Sequence, residues 1–188
     1  MFIQTESTPN PNTMKFLPGQ VVLGDKTAFF TDRTNAAASP LASALFVLPD
    51  IRAVFYGSDF ITVTKTEASS WEILKPQILT TIMEHFQSDI PLMRHDKPNA
   101  KAENEASYNE SDQEIVDNIK ELLETRVRPA VAQDGGDIIF HSFKDGIVHL
   151  EMHGACSGCP SSTATLKSGI ENMLKHYIPE VIAVEAVA

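Results

Sequence analysis

The 188-residue sequence predicts an α+β protein of two small domains joined by a flexible linker. Three observations carry that reading. The length is generous for one compact domain and comfortable for two. With 43% hydrophobic and 21% charged residues, there is enough apolar material to build real cores. Between two segments that mix strand-like and helix-like patterns, the run from Arg94 to about Glu110 has almost no large apolar residue. Such a run cannot bury enough surface to offset the ordering of its backbone. The expected division is therefore 1–93, a linker over 94–110, and 111–188.

In the first domain, Phe2 to Thr5 and Met14 to Leu17 read as short strands joined by the turn signal Pro9-Asn10-Pro11-Asn12. Val21 to Val22 and Ala28 to Thr31 are expected as further short strands, and Pro40 to Leu48 as a short helix. Arg52 to Tyr56 and Phe60 to Lys65 form a hairpin pattern around Gly57-Ser58-Asp59. Ile73, Leu74, Ile78, Ile82, Met83 and Phe86 then recur at helical spacing over Ser70 to Phe86, with Pro76 expected to delay or kink the helix.

The second domain opens on Ser111-Asp112-Gln113-Glu114, which has the form of a capping box. Ile115, Ile119, Leu122 and Leu123 follow at helical spacing, and Pro129 is expected to kink or stop this helix. Asp134-Gly135-Gly136-Asp137 reads as a glycine turn into a strand, Ile138 to Phe143. Lys144-Asp145-Gly146 then closes a hairpin onto Ile147 to His153. The alternation there points Val148, Leu150 and Met152 to the core and His149, Glu151 and His153 away from it. Leu166, Ile170, Met173, Leu174 and Tyr177 mark a second amphipathic helix. Pro179 ends it, and Val181 to Val187 supplies a last strand. The predicted order is α-β-β-α-β.

The formal charge of −10 argues against general attraction to nucleic acid or to an anionic membrane. Residues 112–188 carry 6 basic and 12 acidic side chains, so this domain holds most of the net charge. No run of 18 apolar residues exists, so no transmembrane helix is expected. Met1-Phe2-Ile3-Gln4-Thr5-Glu6 resembles neither a secretory signal nor a transit peptide. A cytoplasmic location is therefore expected, or the mitochondrial matrix if a transit peptide has been removed.

Only two cysteines are present, Cys156 and Cys159, within Gly154-Ala155-Cys156-Ser157-Gly158-Cys159-Pro160. Two cysteines cannot build a disulfide scaffold for a chain of this size. The loop lies between a strand and a helix. Pro160 suits the first helical turn, and Ser161, Ser162 and Thr163 are expected to satisfy free amides there. The positive end of the helix should favour thiolates, the form that binds soft metals. The loop itself is expected to contribute little to the core.

Four readings of this pair stand side by side. The cysteines could be structurally idle, though a glycine-lined loop argues against it. They could join His149 and His153 on zinc, which needs four ligands. They could form a thioredoxin-like dithiol, although the βαβ unit that should precede the motif is missing. Or they could hold an iron–sulfur centre. Clusters usually take four thiolates, and a symmetric dimer would supply the missing two across its axis. A cluster held that way would sit near water at an interface, suited to being handed over by thiolate exchange.

Asp134-Gly135-Gly136-Asp137 followed by Gly154-Ala155-Cys156-Ser157-Gly158-Cys159-Pro160-Ser161-Ser162 strongly resembles the NifU-like (Nfu) iron–sulfur scaffold domain, over about residues 112–188. Thr8-Pro9-Asn10-Pro11-Asn12, with Met14-Lys15-Phe16, looks like the N-terminal domain that accompanies it in mitochondrial and bacterial Nfu proteins. The resemblance implies a [4Fe-4S] cluster bridging two protomers, with Cys156 and Cys159 as the ligands from each. It implies a homodimer on cluster binding and delivery to apo iron–sulfur client proteins, such as lipoyl synthase or aconitase, alongside assembly factors. Such a protein is a scaffold and carrier rather than an enzyme. The first domain would then serve interaction, with a client-docking role for its Asn-Pro segment as a hypothesis.

Overall fold

A computed structural model describes residues 2–94, 112–157 and 160–187, with the side chains of 160–162 left undescribed. The chain divides into two compact units, residues 1–100 and 101–188. Both mix helices and strands, so the α+β class holds. No helix among the described residues is long and apolar enough to cross a membrane.

In the first unit five antiparallel strands run in the order β1-β2-β5-β4-β3. They are β1 (Gln4–Ser7), β2 (Thr13–Leu17), β3 (Ala28–Phe30), β4 (Ile51–Tyr56) and β5 (Ile61–Lys65). The first strand starts two residues later than its apolar residues suggested, because its pairing runs Gln4 to Leu17 and Ser7 to Met14. Val21 and Val22 form no strand. Instead Val22 is buried in a loop whose amide donates to Ser58 O at 2.8 Å. A four-residue helix, α1 (Arg33–Ala36), is capped by Asp32, whose carboxylate accepts from Asn35 N at 2.8 Å.

Helices α2 (Pro40–Leu45) and α3 (Trp71–Gln87) supply Leu41, Leu45, Leu74, Ile78 and Ile82 to a core shared with Phe16, Phe30, Val54, Tyr56, Ile61 and Val63. Pro76 neither delays nor ends α3, which starts at Trp71 and keeps going for eleven residues beyond the proline. The Asn-Pro segment is a turn held by its own side chains and tied to Lys65, whose amide donates to Asn12 O at 2.8 Å. The Thr8 hydroxyl donates to Asn10 O and Thr13 O, both at 2.9 Å, and Asn10 Oδ1 accepts from Asn12 N at 3.0 Å. Trp71 Nε1 closes on Pro11 O at 3.0 Å. Arg94, the first residue of the expected linker, donates its amide to Ala38 O at 2.8 Å. The rest of that linker, and Ser111 of the expected capping box, lie outside the described residues.

In the second unit the sheet order is β6-β7-β8, with β6 (Gly136–Lys144) antiparallel to β7 (Ile147–Gly154) and β8 (Ala183–Val187) parallel to β7. Asp145 and Gly146, at φ 51° and 79°, make the hairpin turn. Two successive positive φ values match the twist of the strands they join. Val148, Leu150 and Met152 point into the core as their alternation requires, while His149, Glu151 and His153 are only half-buried.

Pro129 does not stop the first helix of this unit. Lacking an N–H, it cannot donate to the carbonyl four residues back, and its ring crowds that carbonyl. The helix answers with one wide π turn, Leu123–Val127, between α4 (Gln113–Leu122) and α5 (Arg128–Gln133). Val116, Ile119, Leu123, Val127 and Val131 on this continuous rod pack with Ile170 and Leu174 of α6 (Pro160–Tyr177) over the sheet.

Candidate functional site

The cysteine loop grows out of the end of β7. Gly154 closes the strand at φ 63°, a left-handed conformation that a side chain would strain. The chain then turns back on itself: Ser157 donates its amide and its hydroxyl to Gly154 O, at 3.1 and 2.9 Å. Ala155 N donates to Gly135 O at 3.1 Å, which ties the loop to the turn before β6. Helix α6 begins at Pro160, as the first-turn preference of proline predicts. Thr163 departs from expectation. Its hydroxyl donates to the Cys156 carbonyl at 3.1 Å and so locks the loop rather than capping the helix amides.

Cys156 is a free thiol, only 6% exposed, and it packs with Met152, Leu150 and the rest of the core. The loop therefore does contribute to the core. Burial pushes the thiol up to about 12, and the charges of Asp134 and Asp137 push the same way. For Cys156 in the metal-free protein this runs against the expected thiolate, because desolvation disfavours the charged form. Cys159, with Gly158, lies outside the described residues.

The floor under the sulfur is Gly136. A Cβ there would stand 2.4 Å from Cys156 Sγ, 2.8 Å from His153 O and 3.0 Å from Cys156 N. The Asp134–Asp137 segment is therefore more than a turn, since its second glycine is what lets the sulfur sit where it does. Beside it, Asp137 is buried and held by a two-pronged bond from Arg128, Nε to Oδ1 and Nη2 to Oδ2, each 2.8 Å. The sequence reading missed Arg128 and Asp137 as parts of this site. A charged residue directly after a glycine pair was a faint signal for Asp137, and nothing linear connects it to Arg128.

The histidines do not join the sulfur. His149 and His153 lie on one face of β7, four residues and so about 13 Å apart along the strand. His153 Nε2 is 2.9 Å from Glu151 Oε1, and His149 Nε2 is 3.7 Å from Glu185 Oε2. Among the described residues no group of three or more His, Cys, Asp or Glu is arranged to hold a metal ion. The loop follows the second strand of an antiparallel hairpin, and no βαβ unit precedes it among the described residues.

Two family models match the chain. One described as "Scaffold protein Nfu/NifU N terminal" covers residues 3–89, and one described as "NifU-like domain" covers 119–185. A human protein named "NFU1 iron-sulfur cluster scaffold homolog, mitochondrial" is 52% identical over 188 residues, which are all of this chain and 72% of that protein.

The chain belongs to the Nfu scaffold family.

A Drosophila persimilis Nfu protein of the same printed name is 51% identical over 188 residues, and one from Drosophila ananassae is 52% identical. The chain spans 65% and 64% of the length of these two relatives. A solution structure of a NifU-like protein from Saccharomyces cerevisiae matches at 26% identity and a TM-score of 0.46, over 51% of this chain and 87% of that one.

Proposed function

We propose that this Nfu chain is an iron–sulfur cluster scaffold and carrier, binding a [4Fe-4S] cluster between two protomers through Cys156 and Cys159 of each. The cluster is cargo, assembled or received on the protein and then passed to apo iron–sulfur proteins. The observation that carries this reading is the seat of Cys156, a free sulfur with glycine beneath it, on a loop cross-tied to a second glycine turn. Its chemistry fits. A thiol is the soft donor that iron–sulfur centres use, and Gly136 leaves the sulfur room that any side chain would take. Because the metal-free thiol is protonated, iron must displace a proton as it binds, and binding strengthens as pH rises.

Two cysteines per chain make half a ligand set, so a homodimer completes the site. The names of the mitochondrial relatives support the scaffold role. They also favour the mitochondrial matrix over the bacterial-type cytoplasm as the place of action. The protein is a binding and delivery device rather than an enzyme, and its first unit serves contact with clients and assembly factors.

The test is transfer. Protein reconstituted anaerobically is mixed with an apo [4Fe-4S] enzyme, and the enzyme's activity is followed with and without a low-molecular-weight iron chelator. Recovery that persists with chelator present, with loss of the dimer on sizing, supports direct delivery. Recovery abolished by chelator, or a colourless monomer that instead reduces protein disulfides, contradicts it.

A further inference from the structure

Arg128 and Asp137 form an ion pair at the edge of the cysteine loop, and neither belongs to the ligand set. Asp137 is 3% exposed, and its two oxygens take the Nε and Nη2 of Arg128 at 2.8 Å each. Oδ1 also accepts from Ile138 N at 2.9 Å, so the carboxylate is fixed at the first residues of β6. The neighbouring residue is Gly136, the one pressed against Cys156 Sγ. On the other side, Arg128 is the first residue after the π turn and its amide donates back to Leu123 O. The extra residue in that wide turn rotates everything after it about the rod axis, and this sets the direction in which Arg128 leaves the helix. A second carboxylate, Glu124, takes Nη1 from the preceding turn.

We propose that Arg128 is a positioning residue for cluster binding, whose fork on Asp137 seats the Gly135–Gly136 turn under Cys156 and cancels a buried negative charge beside the sulfur. This rests on the scaffold reading above. A cluster with thiolate ligands is an anion, so a buried carboxylate without its arginine, next in the chain to Gly136, would oppose its binding and make the bound cluster harder to reduce. Lysine could replace the charge but not the two parallel bonds. Seating and charge are therefore separable by substitution.

The experiment compares Arg128→Met, Arg128→Lys and the double variant Arg128→Met/Asp137→Asn with the parent, each checked for folding by circular dichroism. Iron per chain after anaerobic reconstitution and the reduction potential of the bound cluster report on charge. The rate of Cys156 alkylation in metal-free protein, in a Cys159→Ser background, reports on seating. Arg128→Met should lower bound iron at least fivefold, shift the potential of the residual cluster to more negative values, and speed alkylation tenfold or more. The double variant should recover at least half of the iron and return the potential towards that of the parent, because the negative charge of Asp137 goes with its arginine. Arg128→Lys should hold the potential yet still alkylate faster than the parent. If Arg128→Met does not fold, Arg128→Gln, which also removes the charge opposite Asp137, takes its place in the iron and potential measurements, and Arg128→Lys and the double variant still report on seating by alkylation. Unchanged potential and unchanged alkylation across the folded variants would overturn the proposal. Should the parent itself bind no cluster, the scaffold reading fails, and the alkylation rates still decide whether the ion pair seats the loop.

Discussion

Replacing Gly136 with alanine adds one methyl group at the point where the site is tightest. Its Cβ would lie 2.4 Å from Cys156 Sγ and 2.8 Å from His153 O. Comfortable contact between such atoms begins at about 3.5 Å, so something must move by about an ångström. Neither neighbour yields cheaply. The sulfur is on a short side chain packed in the core, and the oxygen belongs to His153, which pairs with Asp137 in the β6–β7 ladder. Overpacking of this kind costs about 1–3 kcal/mol. For a unit of this size, about 2 kcal/mol lowers the melting temperature by roughly 8–16 °C. The methyl also pushes Cys156 off its seat, so alkylation of the thiol should quicken and iron loading should fall. Calorimetry of the metal-free protein and thiol labelling at neutral pH read the two effects separately. A Gly136→Ala protein that melts within a degree or two of the parent and labels at the same rate would refute the close approach of Gly136 to the sulfur.

Three further outcomes follow from the same structure. The thiol of Cys156 is raised from 9.0 to about 12 in the folded state, so the unfolded chain loses that proton first as pH rises. Its contribution to stability is complete below about pH 9 and is lost between there and about pH 12. Urea unfolding at pH 8 and pH 10.5 should show a larger loss in the parent than in Cys156→Ala, and equal losses would contradict it. Cys156→Ala itself should abolish cluster binding and, because the sulfur fills core space, cost about 1–2 kcal/mol by chemical denaturation; a variant as stable as the parent would place the sulfur outside the core. In the first unit, Ser39→Ala strips the buried Tyr56 hydroxyl of its 2.9 Å side-chain partner and should cost about 1–3 kcal/mol. An unchanged denaturation midpoint would contradict a stabilising role for the Ser39–Tyr56 bond.

Much of the fold was legible because the local signals agreed with one another. The alternation in Ile147–His153 placed three side chains in the core and three outside it, and the Asp145-Gly146 pair marked a turn whose dihedral angles suit a hairpin. The cysteine loop between strand and helix was legible for the same reason. What escaped depended on partners distant in sequence. Val21 and Val22 have strand propensity, yet a loop held to Ser58 buries one and exposes the other. Pro129 announced a disturbed helix, but the choice of a π turn over a break was decided by Val127 and Val131 packing on one core. The state of Cys156 was misread because helix-end electrostatics can be read from sequence and desolvation cannot. Arg128 lay nine residues from Asp137 with nothing between them to announce the pair.

In the proposed site, Cys156 and Cys159 of two chains together hold one cluster. Iron and sulfide content, with a Mössbauer spectrum, on anaerobically reconstituted protein tests it most directly. About two irons and two sulfides per chain on a dimer are expected, both lost in Cys156→Ala and in Cys159→Ala. A monomer that holds no iron, or iron retained when either cysteine is removed, would contradict it.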